Sequence, residues 1–176
     1  MNKSEINPMP DFFDRYIDLV EEPDLLTAMN LSIQNLKTLD VGLLKGIGDL
    51  VYAPGKWSVK QIIQHIIDNE RIQSYRALRF SRKDETVLPG YNEVLLASNA
   101  DTTNRKIEDM IDELIVVRQS SLLLFKSFSK DMYLNKGICF NREISVLGLG
   151  FVIVGHETHH FNVIKERYYP LLSKEV

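Results

Sequence analysis

The chain has 176 residues, of which 44% are hydrophobic and 26% charged, values typical of a soluble globular domain. A formal net charge of −3 leaves no basic surplus for binding nucleic acid, and the single cysteine, Cys139, excludes an internal disulfide. The first ten residues lack the apolar core of a signal peptide, and the longest apolar stretch, 144–154, is too short to span a bilayer. We therefore expect a single cytoplasmic domain over 1–176, without a membrane or nucleic-acid partner.

Apolar residues at helical spacing predict a short N-terminal helix and four long helices. The short helix covers 11–20, and the long helices cover 24–39, 58–81, 103–128 and 145–168. Between them, 41–54 holds three glycines and a proline, which predicts a helical turn followed by a loop. We interpret 82–102 as a loop and 129–141 as a connection, in which only 138–140 favours an extended conformation.

Local signals describe two of these helices in more detail. Ser58 and Gln61 fit a capping box, in which each side chain accepts a hydrogen bond from the other residue's backbone N–H. The helix over 145–168 is apolar all round in its first half, which is typical of a buried central helix. Gly148 and Gly150 each cost about 1 kcal/mol of helix propensity relative to alanine, which suggests close approach of a neighbouring helix. The sequence thus predicts an all-α fold, an antiparallel four-helix bundle with a short extra N-terminal helix.

The four histidines fall into two places, with His65 alone and the other three between residues 156 and 160. His156 and His160 are spaced i, i+4, so on a helix both imidazoles lie on one face and can reach one metal ion. His65 could supply a third ligand from another helix. Three neutral imidazoles would hold a divalent ion and leave positions for water. We therefore predict a metal site made of His65, His156 and His160.

The remaining histidine and the intervening acid have a different interpretation. His159 lies about 80° from the mean direction of its two neighbours, so it cannot easily share their ion, although it could line the site or be hydrogen-bonded locally. The run from His156 to His160 also satisfies the zincin pattern H-E-x-x-H, with Glu157 as the would-be general base. A zincin takes its third ligand downstream of this motif, whereas His65 lies upstream, so a peptidase is not favoured.

Other polar residues are candidates for supporting roles. Asp68 and Asn69 follow His65 by three and four residues, so either could orient a ligand or a bound water, or simply lie on the helix surface. Glu70 points elsewhere, which favours a structural salt bridge. Four arginines could form an anion-binding rim or be ordinary surface residues: Arg76, Arg79, Arg82 and Arg142. Trp57 before a helix favours a hydrophobic staple, and Cys139 favours a small buried apolar residue.

Five short motifs together resemble the DinB-like (YfiT-like) superfamily of metal-dependent enzymes over nearly the whole chain. They are Gly55-Lys-Trp-Ser58, His65-x-x-Asp68-x-Glu70, Arg142-x-x-Ser145, Gly155-His-Glu-x-His-His160 and Arg167-Tyr168. The resemblance implies a four-helix bundle of up-down-down-up arrangement, often a homodimer. It also implies a divalent ion, nickel or zinc, held by His65, His156 and His160.

The resemblance leaves the reaction open. Some relatives look like thiol transferases that use bacillithiol, mycothiol or glutathione, and others are called hydrolases. We therefore expect a metal-dependent thiol S-transferase or hydrolase that acts on a small molecule. A low-molecular-weight thiol is one candidate for the molecule that it binds. Glu157 and Asp68 are the only catalytic candidates, and no protein nucleophile stands out. The alternative is a non-catalytic metal-containing bundle that binds a small ligand or a protein partner.

Overall fold

Four long helices carry the fold in this computed structural model, which describes residues 1–174. They are α2 (Leu25–Lys37), α4 (Val59–Ser81), α6 (Ile107–Lys126) and α8 (Val146–Val163). Four short helices lie before and between them: α1 (Asp14–Ile17), α3 (Val41–Ile47), α5 (Glu93–Asn99) and α7 (Lys130–Leu134). A 3₁₀ turn (Lys3–Glu5) precedes α1, and a π-helical turn (Ile164–Tyr168) and a 3₁₀ helix (Tyr169–Lys174) follow α8. The last two residues of the predicted domain, 175 and 176, lie outside the described residues.

Polar N-caps fix where three of the long helices begin. Asp24 accepts a hydrogen bond from the backbone N–H of Thr27, and Ser145 accepts one from Gly148. The capping box at the start of α4 is confirmed, because the Gln61 N–H lies 3.3 Å from Ser58 Oγ and the Ser58 N–H lies 2.8 Å from Gln61 Oε1. The start of α4 is therefore held firmly, two turns before His65.

The predicted all-α four-helix bundle is confirmed, and its chain directions are mixed. Around the bundle, α4 packs between α6 and α8, and α2 packs between α6 and α8 on the opposite side. Helices α4 and α6 are parallel, because later residues of one contact later residues of the other: Arg71 contacts Glu113 and Ser74 contacts Ser121. Helices α2 and α8 are parallel for the same reason, since Leu25 lies beside Gly150 and Ser32 contacts Glu157. The α4–α8 and α2–α6 neighbours are antiparallel. The four helices therefore run up, down, down and up. This is the arrangement that the family resemblance implies, and in it two of the four neighbouring pairs are antiparallel.

Helix α8 is the central element of the core, as its apolar first half predicts. Residues 146–157 are all buried. A Cβ on Gly150 would overlap Leu25 of α2 and crowd Phe125 of α6, so the predicted close approach of neighbouring helices is confirmed there. At Gly148, the atoms nearest to an added Cβ belong to Ile144 and Ser145, just before the helix.

The connections differ from the sequence prediction in three places. Helix α1 covers only Asp14–Ile17, because Phe12 has a left-handed backbone (φ 73°) that interrupts any helix starting at residue 11. The segment expected to be a loop contains α5, capped by Asn92. The connection before α8 contains α7 and an antiparallel hairpin of β1 (Lys136–Cys139) and β2 (Arg142–Ser145). Phe140 and Asn141 form its two-residue turn, with φ of 53° and 57°.

Candidate metal centre

Three histidine side chains converge between α4 and α8. The Nε2 atom of His156 lies 3.0 Å from that of His65 and 3.2 Å from that of His160. One nitrogen from each ring can be chosen so that all three lie within 4.8 Å of one another. The structure therefore brings together the three residues that the sequence selects as metal ligands.

The surroundings keep these imidazoles neutral. Burial lowers the pKa of His65 to about 4 and that of His160 to about 3, and neighbouring imidazoles add to both effects. His156 is only 4% exposed, and burial holds its pKa well below the usual value. Neutral rings at pH 7 each offer a lone pair, which is the form that binds a metal ion.

The geometry and chemistry of the donors fit a divalent ion. Nitrogen ligands about 2.05 Å from a tetrahedral ion lie about 3.3 Å apart, close to the two Nε2 separations seen here. Within residues 1–174, no fourth histidine, cysteine or acid joins the group. Three imidazoles would therefore leave at least one coordination position open.

An open cavity of about 230 Å³ lies against the histidine cluster and is lined by Arg15, Tyr16, Trp57, Glu93 and the histidines 65, 159 and 160. The indole of Trp57, the only tryptophan of the chain, has its centroid 4.9 Å from that of the His65 ring. Trp57 is thus part of the site wall. His159 is outside the three-histidine group but lines the cavity, one of the two positions the sequence left open for it.

Helix α1 covers the cluster because Gly155 lets it approach. A Cβ at Gly155 would overlap the backbone carbonyl oxygen of Tyr16, so only glycine permits this contact. The Tyr16 ring then stands edge-on to His156, with 5.2 Å between centroids, and edge-on to His159 at 5.5 Å. The glycine before the histidine run therefore positions an aromatic wall over the cluster.

A narrow slot of about 50 Å³ continues from His156 along α4. Asn69, Gln73 and Arg76 line it from that helix, and Tyr91 lines it from the loop before α5. The amide of Asn69 donates to the Tyr91 hydroxyl at 2.6 Å, while Asn69 Oδ1 is buried without a donor. Arg15, Tyr16 and Glu93 line both the slot and the open cavity.

Glu157 lies in a separate polar network at the bundle centre. Its carboxylate accepts from Ser32 Oγ at 2.8 and 2.9 Å and pairs with Arg118 Nη2 at 2.8 Å. Arg118, which is fully buried, also donates from Nε to Glu70 at 2.9 Å. Both oxygens of Glu157 are thus engaged by α2 and α6, which argues against a general base beside the histidines. The salt bridge predicted for Glu70 is present.

The other polar candidates divide between the slot and the surface. Asp68 accepts from Gln64 at 2.9 Å on its own helix and lines neither the slot nor the open cavity. Of the four arginines, only Arg76 lines the slot, whereas Arg79 pairs with Asp84. Cys139 is fully buried, and burial raises the pKa of its thiol, as expected for an apolar role.

Several site residues have no sequence motif. Arg15 and Tyr16 come from a helix of one turn, and Tyr91 and Glu93 come from the segment expected to be a loop. A signal did exist for Gln73, because it follows Asn69 by four residues and precedes Arg76 by three on the polar side of α4.

Comparison with known proteins agrees with this architecture. Residues 21–164 match the family described as the DinB superfamily. A protein from Oceanobacillus iheyensis named "putative metal-dependent hydrolase" is 29% identical over 123 residues, which are 65% of this chain and 66%, just under two thirds, of that protein.

Among solved structures, the chain is similar in fold to YfiT from Bacillus subtilis, described as a probable metal-dependent hydrolase with an unusual four-helix bundle topology. The TM-score is 0.58 at 16% identity, with 93% of this chain and 86% of YfiT covered. Within residues 1–174, no helix has the length and apolarity to cross a membrane. Since the family match spans most of the sequence and the bundle agrees with it, the chain belongs to the DinB superfamily.

Proposed function

We propose that this protein is a divalent-metal-dependent enzyme and that its site is best suited to hydrolysis of a small molecule. One observation carries the proposal: three buried, neutral imidazoles converge within 4.8 Å beside an open cavity. A structural metal site is normally closed by four protein ligands, whereas a catalytic site keeps a position open. The names carried by the similar proteins, both of metal-dependent hydrolases, support the same reaction class.

The residues around the cavity suggest a division of roles. His65, His156 and His160 would hold nickel or zinc, both of which accept imidazole nitrogen. The ion, when bound, supplies Lewis-acid polarisation and lowers the pKa of a coordinated water. Glu93 is the acid that lines both the cavity and the slot, so we assign it the role of proton acceptor. Tyr16 and Trp57 shield the reacting group from bulk water.

Thiol transfer is the second candidate. Among the described residues that line the cavity and slot there is no cysteine, serine or lysine, and Cys139 is buried elsewhere. A nucleophile that arrives with a thiol cosubstrate would remove the need for one in the protein. The homodimer and the cytoplasmic location stay predictions.

Equilibrium dialysis against nickel and zinc tests the metal site. We expect the parent protein to bind one ion per chain, and His65→Ala and His156→Ala to weaken binding by at least 100-fold. His159→Ala is the matched control, because its imidazole lies in the same helix outside the cluster, and it should retain the parent affinity. Unchanged metal binding in the two ligand variants would contradict the proposal.

Turnover separates the candidate reactions. The metal-loaded protein is assayed with a panel of esters, amides and lactones, and in parallel with thiols plus an electrophile such as monochlorobimane. Hydrolysis that is lost on chelation and reduced by Glu93→Gln supports the first candidate. Activity only in the presence of a thiol supports transfer. A metal-loaded protein without turnover in either panel would support the non-catalytic alternative, a bundle that binds a small ligand or protein partner.

A further inference from the structure

Arg76 is a buried cation without an acidic partner. It is 4% exposed, and no carboxylate within residues 1–174 lies within 4.0 Å of its guanidinium. Its two hydrogen bonds go to neutral groups, the carbonyl oxygen of Pro89 at 2.8 Å and Gln73 Oε1 at 3.3 Å. A guanidinium has five N–H donors, so the neutral partners leave donors unused. Buried cations are normally paired, and this one lines an accessible slot.

A second, independent observation points to a ligand in the same slot. Asn69 Oδ1 is buried and lacks any donor, although a buried polar atom normally has a partner. Asn69 lies between the histidine cluster and Arg76 along the slot-lining side of α4. Asn69 Oδ1 and the guanidinium of Arg76, two turns apart along α4, therefore both keep hydrogen-bonding capacity that the protein does not use.

The size and charge of the slot limit what could occupy it. A volume of about 50 Å³ admits a narrow chain end, roughly four water-sized groups, but no ring system. Two arginines, Arg15 and Arg76, line the slot against one acid, Glu93. A divalent ion at the histidines would add further positive charge. The slot thus favours an anion. A planar guanidinium can hold a carboxylate through two parallel hydrogen bonds, and a flat carboxylate suits so small a volume.

We propose that the substrate is a small, narrow carboxylate whose anionic end is bound by Arg76, with its reacting group at the histidine cluster. The second half of this statement rests on the proposed function, whereas anion binding at Arg76 does not. A rise of 1.5 Å per residue puts the Cα atoms of His65 and Arg76 about 16 Å apart along α4. Both side chains point back toward the start of α4, and the arginine is the longer of the two, so the distance from cluster to anion is on the order of 10 Å. The substrate should therefore be an extended chain that spans about this distance between its reacting group and its carboxylate.

The first experiment uses the metal-free protein, so that it is independent of the proposed function. NMR titration compares hexanoate with hexanamide, which has nearly the same shape and no charge. We expect hexanoate to bind about tenfold to hundredfold more tightly, as for a charge-assisted hydrogen bond. Arg76→Gln should remove this preference. Arg79→Gln is the control, since Arg79 lies three residues further along the same helix, outside the slot, and it should keep the preference.

The second experiment uses the metal-loaded protein and a hydroxamate as the metal-binding group. Calorimetry compares the monohydroxamates of succinic, adipic and suberic acid with uncharged alkyl hydroxamates of equal length. We expect the carboxylate to improve binding by about tenfold or more for the longer chains and not for the succinic derivative. Arg76→Lys keeps a buried cation and should reduce the improvement in binding that the carboxylate gives. This variant replaces Arg76→Gln if that protein fails to fold.

The outcomes separate the two proposals. Equal binding of hexanoate and hexanamide by the parent protein would overturn the assignment of Arg76, whatever the metal does. An undiminished charge preference in any Arg76 variant that folds would overturn it as well. If hexanoate is preferred but neither hydroxamate series binds, the anion site stands and the metal-dependent function fails.

Discussion

Two polar clusters lie inside the same helix bundle, and they differ in how fully their members are paired. At the centre, Arg118 contacts Ser32, Glu70 and Glu157, so each long helix contributes one residue. We call this the closed network, because its members pair with one another and only Glu70 Oε2 among them is buried without a hydrogen bond. Near one end, His65, His156 and His160 face one another across α4 and α8 with no opposite charge among them. The first cluster is largely satisfied by the protein, whereas the second offers lone pairs to something else.

The difference separates a structural role from a binding role. Burying charged groups is costly unless they are paired and hydrogen-bonded, so Glu70 and Glu157 depend on Arg118 for the stability of the bundle. The histidines stay neutral because burial lowers their pKa values, and they need no partner for folding. Adjacent residues can therefore have unrelated roles, as His156 and Glu157 do.

Arg118→Met is expected to have the largest effect on stability. The substitution leaves Glu70 and Glu157 buried without their cation, which should lower the free energy of unfolding by about 3 to 5 kcal/mol. Urea denaturation of the metal-free protein followed by circular dichroism measures it. His160→Gln in the other cluster should change the stability by less than about 1 kcal/mol, because no ion pair is broken. Similar losses in the two variants would contradict the distinction between the clusters.

Glu157→Gln tests whether the acid beside His156 belongs to the closed network. The amide keeps the shape but loses the charge that faces Arg118, so we expect a loss of about 2 kcal/mol in unfolding free energy. Nickel and zinc affinities in dialysis should stay within about threefold of the parent values. A Glu157→Gln protein of parent stability but without turnover would instead favour a general base of the zincin kind.

The parts of the fold that could be predicted are the long segments in which apolar residues recur at helical spacing. The four long helices bury continuous apolar stripes, and Ser58 with Gln61 marks a helix start to the residue. Helix α5 escaped prediction because it has seven residues and buries only Ala97 of them. The hairpin turn at Phe140 and Asn141 lacks the glycine that usually marks such turns. The mixed chain directions depend on packing between helices, on which periodicity is silent.

The candidate site divides in the same way. Spacing along a helix selects His156 and His160 and separates His159 from them, because side-chain direction repeats every 3.6 residues. The sequence also holds an unused signal for the closed network, since Arg118 lies four residues from Leu114 and from Leu122, both on the apolar stripe of α6. Arg15 and Glu93 could not be predicted, as they reach the cavity from short elements whose placement depends on tertiary packing.

Gly155→Ala is expected to cost less stability than Arg118→Met and to have a distinct effect on the histidine cluster. Its methyl group would overlap the backbone carbonyl oxygen of Tyr16, so α1 has to move away from α8, at a cost of about 1 to 3 kcal/mol. Removal of the Tyr16 wall should expose His156 to solvent and shift the emission of Trp57 to longer wavelength, since that indole lines the same cavity.

Gly46→Ala in α3 is the matched control, because its methyl group would meet only the flexible end of Leu172 at 3.2 Å. The control should leave the emission unchanged and the stability within about 1 kcal/mol. If Gly155→Ala also leaves both unchanged, α1 is not held over the histidines by this contact.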